Sequence, residues 1–159
     1  MQIRQGKNLL GISYDVDLTN GGLVSVGEDA EVKFTDVSES VAGRPRYVNN
    51  GGTIDFSFTA DSSNIKNGLL GDISNSDLGT INFNAKGVKF YGNISNSGNS
   101  YLYVNADTSF IGTVNNSHGL IQVGDGTVSV EAVFAESVRT GSLFQVMNQG
   151  RACFGRIVS

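Results

Sequence analysis

Cysteine, proline, tryptophan and histidine are almost missing from this chain of 159 residues, which has one Cys, one Pro, no Trp and one His. A lone thiol, Cys153, excludes an intrachain disulfide and a cysteine-rich metal centre, and a lone imidazole, His118, excludes a multi-histidine zinc site. Charge is scarce as well, at 16% of residues with a net charge of −4. A pI near 4.8 leaves no basic stripe for a phosphate backbone, so no nucleic-acid partner is expected. No run approaches the ~18 apolar residues of a membrane helix, which argues against membrane insertion. The opening residues Met1 to Lys7 lack the apolar segment of a signal peptide, and the sequence therefore predicts no Sec-type export.

What fills the space is glycine, at 21 residues, together with Asn, Ser, Thr and β-branched residues. Gly and Asn accept tight turns, and branched or aromatic side chains fill pleats, so many short strands are predicted. The strands recur as a unit. Gly71-Asp72-Ile73-Ser74-Asn75-Ser76, Gly92-Asn93-Ile94-Ser95-Asn96-Ser97 and Gly112-Thr113-Val114-Asn115-Asn116-Ser117 are three copies, and each is followed by a second apolar segment. Two weaker copies precede them, around Asn20-Gly21-Gly22 and Asn50-Gly51-Gly52. With Asn20, Asn50, Asn75, Asn96 and Asn116 as markers, the spacing tightens from 30 to 20 residues. About 20 residues suit one three-sided coil of parallel strands.

Apolar residues return in the same places in each copy. Leu69, Phe90 and Phe110 form one column; Ile73, Ile94 and Val114 a second; Ile81, Leu102 and Ile121 a third; Phe83, Val104 and Val123 a fourth. Within a copy they alternate with polar residues, the period of a strand with one face inward. The fold class read from this is all-β: a short right-handed parallel β-solenoid of about five coils, with the marker asparagines stacked as a turn ladder. The alternative is an antiparallel β-sandwich or jelly roll, since Asn-Gly pairs are also hairpin signals. One short helix is expected over Val130 to Val138. A single domain is predicted: residues 1–17 as an N-terminal cap or docking arm, 18–130 as the repeat region, and 131–159 as a C-terminal cap or docking segment that leaves the repeat. Atypical ends are expected because an open coil exposes unpaired strand edges.

Chemistry is thinly represented. His118 lies in a variable turn, with no nucleophile-elbow motif anywhere to make it part of a triad. Asp55 with Asp72, on adjacent coils, is one carboxylate pair that would suit a glycosidase. Asp15, Asp17 and Asp125 could offer oxygens to calcium, yet no calcium-binding loop signature surrounds them. Turn and surface roles fit all of these better, so no catalytic, metal or cofactor site is expected. Cys153, between Ala152 and Phe154, reads as a small buried hydrophobe. The one surface cluster is Tyr91, Tyr101 and Tyr103: the last two flank inward Leu102 and should point outward, as a glycan- or protein-binding strip or as packing on a sheet face.

Units such as Val48-Asn49-Asn50-Gly51-Gly52-Thr53-Ile54-Asp55-Phe56 and Gly92-Asn93-Ile94-Ser95-Asn96-Ser97-Gly98 give residues 48–130 a resemblance to the β-solenoid passengers of autotransporter adhesins. The chain departs from them in its few coils, and its sequence predicts neither a leader nor a membrane barrel. In being short, with distinct ends, it looks more like bacteriophage fibre, tail-spike or capsid decoration proteins; a weaker likeness is to bactofilins. The resemblance implies a non-enzymatic structural or surface protein, located in a virion or, alternatively, at the bacterial cell surface or outside it. It also implies a homo-oligomer, a trimer being favoured, with other structural proteins and glycans as partners. A fragment of a secreted autotransporter-type adhesin passenger is the second reading, and an intracellular polymerising scaffold the third.

Overall fold

A computed structural model of the chain describes residues 2–3, 23–26, 31–34, 46–57, 71–84 and 86–158. These residues form a parallel β-solenoid of about four turns, without a helix. The strands are β1 (Gln2–Ile3), β2 (Leu23–Val26), β3 (Glu31–Phe34), β4 (Arg46–Asn50), β5 (Thr53–Phe56), β6 (Asp72–Ser76), β7 (Thr80–Phe83) and β8 (Val88–Phe90). They continue as β9 (Ile94–Asn96), β10 (Ser100–Val104), β11 (Thr108–Phe110), β12 (Val114–Asn116), β13 (Gly119–Val123), β14 (Val130–Thr140), β15 (Leu143–Val146) and β16 (Gly150–Val158). Every pairing among them is parallel, which disposes of the sandwich alternative.

The stack has three faces. The first runs β1-β2-β4-β6-β9-β12 and reaches the C-terminal half of β14; the second is the six-stranded sheet β3-β5-β7-β10-β13-β15. The third runs β8-β11 to the N-terminal half of β14, so that β14 joins the first and third faces into one ten-stranded sheet. The expected columns are the actual register: Ile73, Ile94 and Val114 pair in sequence, as do Ile81, Leu102 and Ile121, and Phe83, Val104 and Val123. Phe90 and Phe110 do likewise, whereas Leu69 and Asn20 lie outside the described residues. All of these paired residues are buried.

Burial of these columns removes apolar surface at roughly 25 cal/mol per Å², the main force holding one coil on the next. Aromatic geometry adds to it. Phe110 lies between Phe83, edge-on at 5.0 Å, and Phe134, stacked at 4.9 Å, and Phe134 in turn stacks on Phe154 at 5.3 Å. Tyr47 of β4 is paired with Ile73 and lies edge-on to Phe56. Burial pushes its hydroxyl well above the usual phenol range. The sign follows: the stabilising preference of the fold for neutral Tyr47 is complete below the ordinary phenol value of 10.0 and is lost as pH climbs past it. Tyr47→Phe is therefore expected to flatten the fall of stability in urea melts above about pH 10; an unchanged alkaline limb would refute this.

Three sequence readings are corrected. The helix expected over Val130 to Val138 is strand β14. Val130, Ala132 and Phe134 alternate inward and the next inward residue is Val138, the same four-residue corner step as Phe90 to Ile94 and Phe110 to Val114, which imitates a helical period; β16 is one residue shorter at this corner. Segment 131–159, expected to leave the repeat, continues the parallel pairing through β14, β15 and β16. The third correction concerns the ladder. Register pairs Asn49, and not Asn50, with Asn75, because adjacent strand residues face opposite sides; Asn50 is exposed opposite Ser76.

The ladder itself is a continuous wire of buried amides. Asn49 Nδ2 donates to Asn75 Oδ1 at 2.8 Å, Asn75 Nδ2 to Asn96 Oδ1 at 2.8 Å, and Asn96 Nδ2 to Asn116 Oδ1 at 2.9 Å. Asn75 Nδ2 also meets the carbonyl oxygens of Gly79 and Tyr101, both at 3.0 Å. Ser100 Oγ joins by donating to Asn96 Oδ1 at 2.8 Å. The wire ends downstream on Thr140 Oγ1, and upstream Asn49 Oδ1 has no donor among the described residues, its register neighbour being Val26. None of these asparagines has the left-handed backbone expected at a corner; Asp77, Leu78, Gly98 and Asn99 in the following turns adopt it instead. At the corner between the third and first faces, glycine sits on glycine: a Cβ on Gly92 would lie 1.2 Å from the Gly71 carbonyl oxygen, and one on Gly112 would lie 2.1 Å from that of Gly92.

Candidate functional site

Strand alternation decides what the second face shows to solvent. With Leu102 and Val104 buried in β10, Tyr101 and Tyr103 must point out, and both are half-buried there. Their rings stack 6.0 Å apart and are parallel to within 3°. Register surrounds them with Thr80 and Asn82 of β7 on one side and Leu120 and Gln122 of β13 on the other. Beyond β13 the two outward columns continue into Leu143 and Gln145 of β15. The result is one column of Thr80, Tyr101, Leu120 and Leu143 beside another in which Tyr103 stands among the carboxamides of Asn82, Gln122 and Gln145.

Tyr91 does not belong to this strip. It lies between β8 and β9, away from the second face, and makes no ring contact with the other two among the described residues. Sequence reading missed Leu120, Gln122, Leu143 and Gln145. Their signal was the parity of the chain: if Ile121 and Val123 face inward, their neighbours face out. Ring faces can pack on the apolar C–H surfaces of a sugar or an extended peptide, while carboxamides both donate and accept hydrogen bonds. The strip is equipped to hold a polar ligand.

The other titratable candidates stand apart from it and from one another. Asp55, in the second face, accepts hydrogen bonds from Ser57 Oγ and from Asn84 Nδ2 of the next coil. Asp72, in the first face, accepts from the Asn93 backbone N–H at 2.8 Å. The pair named for glycan hydrolysis thus lies in different sheets. His118 is exposed in the turn between β12 and β13. Asp125 accepts from both Thr127 N–H and Thr127 Oγ1, which holds its carboxyl below the usual carboxylate range. Asp15 and Asp17 lie outside the described residues. Among the described residues no group of three or more His, Cys, Asp or Glu side chains converges as a metal site would require.

Cys153 departs from its expected place. Ala152 and Phe154 take the inward positions of β16, paired with Ala132 and Phe134, so Cys153 faces outward, half-buried. Its thiol donates to Glu131 Oε1 at 3.4 Å, and Arg151 Nε sits 3.5 Å from the same oxygen. Compared with protein-family models, with curated proteins and with solved structures, the chain matches none.

Proposed function

We propose that this chain is a non-enzymatic structural protein, a rigid solenoid module of a surface assembly, in the first place a virion fibre or capsid decoration component. One observation carries the reading: polar side chains of the described residues are used to tie coil to coil. The amide wire does this in the interior. Outside, Asp72, Asn93 and Asp107 accept backbone N–H groups from the next coil, and Asn84 and Asn105 extend a second, exposed ladder from Asp55. Groups so engaged lend axial stiffness. A fibre or decoration module needs that, and an active site would need some of the same groups left free.

Small-angle scattering of the purified chain is expected to give an elongated homo-oligomer, three chains being the favoured number. A compact monomer that turns over a glycan would overturn the reading. The second reading, a passenger segment of a secreted adhesin, is favoured specifically by the Tyr101–Tyr103 strip and its carboxamides. It predicts glycan-array binding without release of product. Tyr101→Ala with Tyr103→Ala should weaken such binding by roughly 30-fold or more, since loss of stacking at about 1 kcal/mol per ring compounds with lost desolvation. Binding indifferent to both substitutions would remove the strip from consideration.

A further inference from the structure

The C-terminal end of the described stack is left open. In the last coil, Phe144, Val146, Ala152 and Phe154 occupy inward positions, yet Val146 is 44% exposed where its register partner Val123 is 0%. Phe144, Ala152 and Phe154 are likewise only partly buried, while Ile121, Ala132 and Phe134 one coil earlier are at 0–1%. Nothing among the described residues pairs with the outer edges of β15 and β16. In a parallel ladder, alternate residues turn their N–H and C=O groups to opposite neighbours, so both strands present unpaired backbone groups along their length. Natural edges are blunted by charge, by proline or by shortness. Here β15 and the turns beside it, residues 141–150, contain no charged residue and no proline, and β16 carries only the charges of Arg151 and Arg156.

Charge indicates what would cover this end. Residues 137–159 carry three arginines and no carboxylate, whereas residues 11–40 carry seven carboxylates against one lysine, for net charges of +3 and −6. The strands that the acidic segment contributes, β2 and β3, lie toward the opposite ends of the two sheets. A copy translated along the axis would present them in the same direction as β15 and β16, so parallel pairing could continue across the junction.

We propose that the C-terminal coil is a docking end for a second copy of this chain, which seats its acidic N-terminal end on the exposed Phe144, Val146 and Phe154 surface in head-to-tail order. This rests on the reading of the chain as a structural module and specifies the contact by which it assembles. The test is sedimentation velocity over a concentration series, at about 50 mM and about 500 mM salt, where screening shortens the reach of charge. Expected are elongated species that grow with concentration, are fewer at high salt, and are abolished by Val146→Lys, a change at an exposed position that leaves the melting temperature in place. A photo-reactive side chain at position 146 should cross-link to peptides from residues 11–40. A chain that stays monomeric at all concentrations overturns the proposal, as do cross-links from position 146 to the C-terminal coil of another copy. A side-by-side oligomer indifferent to Val146→Lys also overturns it, while leaving the structural reading intact.

Discussion

Asn96→Ala is expected to lower the free energy of unfolding by about 4 kcal/mol, the largest effect of any polar substitution in the described interior. Asn96 is fully buried and its amide lies mid-wire. Its removal leaves Asn116 Oδ1 without its donor from the coil before, and deprives Asn75 Nδ2 of an acceptor and Ser100 Oγ of one of its partners. The carbonyl groups of Ser100 and Leu120 lose a donor too. Each buried group stranded in this way costs about 1–3 kcal/mol, a large fraction of a domain stability of about 5–15 kcal/mol. Asn50→Ala is the control. Its side chain is exposed with one long contact, Ser76 Oγ at 3.4 Å, and the change should stay within about 0.5 kcal/mol. Urea titrations at constant m-value decide the matter: if both substitutions fall by the same small amount, the buried wire is not what holds the coils.

Gly92→Ala should be of the same order, destabilising by more than about 3 kcal/mol or preventing folding altogether. The new Cβ would fall 1.2 Å from the Gly71 carbonyl oxygen and 2.9 Å from Phe90 Cε1. Backbone cannot rotate out of the way as a side chain could, so the coils themselves would have to part at that corner. Gly87→Ala separates this from ordinary glycine preference. Gly87 has φ of 80° but nothing within 4 Å of its would-be Cβ, so only the left-handed penalty of about 1–2 kcal/mol applies. Thermal melts of the two variants side by side test it; a Gly92→Ala protein as stable as Gly87→Ala would show that the coils approach less closely than described here.

The architecture was legible because a solenoid writes its contacts into its spacing. Ile73, Ile94 and Val114 recur at nearly constant intervals because each lies upon the last, and no antiparallel fold imposes such recurrence. The ladder was legible to within one residue. Asn49-Asn50 offers two candidates, and only the parity set by Tyr47 as an inward residue of the same strand picks the first. β14 was misread because it runs through a corner where the chain steps four residues from Phe134 to Val138, as from Phe110 to Val114, so that Val130, Phe134 and Val138 fall four apart. The candidate strip was half legible. Tyr101 and Tyr103 announced themselves by being aromatic, whereas Leu120 and Leu143 resemble core residues until strand pairing turns them outward. Tyr91 was grouped with them by proximity in sequence, a poor guide where each turn of chain changes face.

The directed run of amides from Asn49 to Thr140 has a consequence for how such a protein can change length. Each asparagine gives one hydrogen-bonding partner to the coil above and takes one from the coil below, so a whole coil duplicated in the interior would enter with both demands already met. A partial insertion would break the run and flip the alternation beyond it. Growth and shortening by complete units from within are therefore the evolutionary moves that this interior permits most readily.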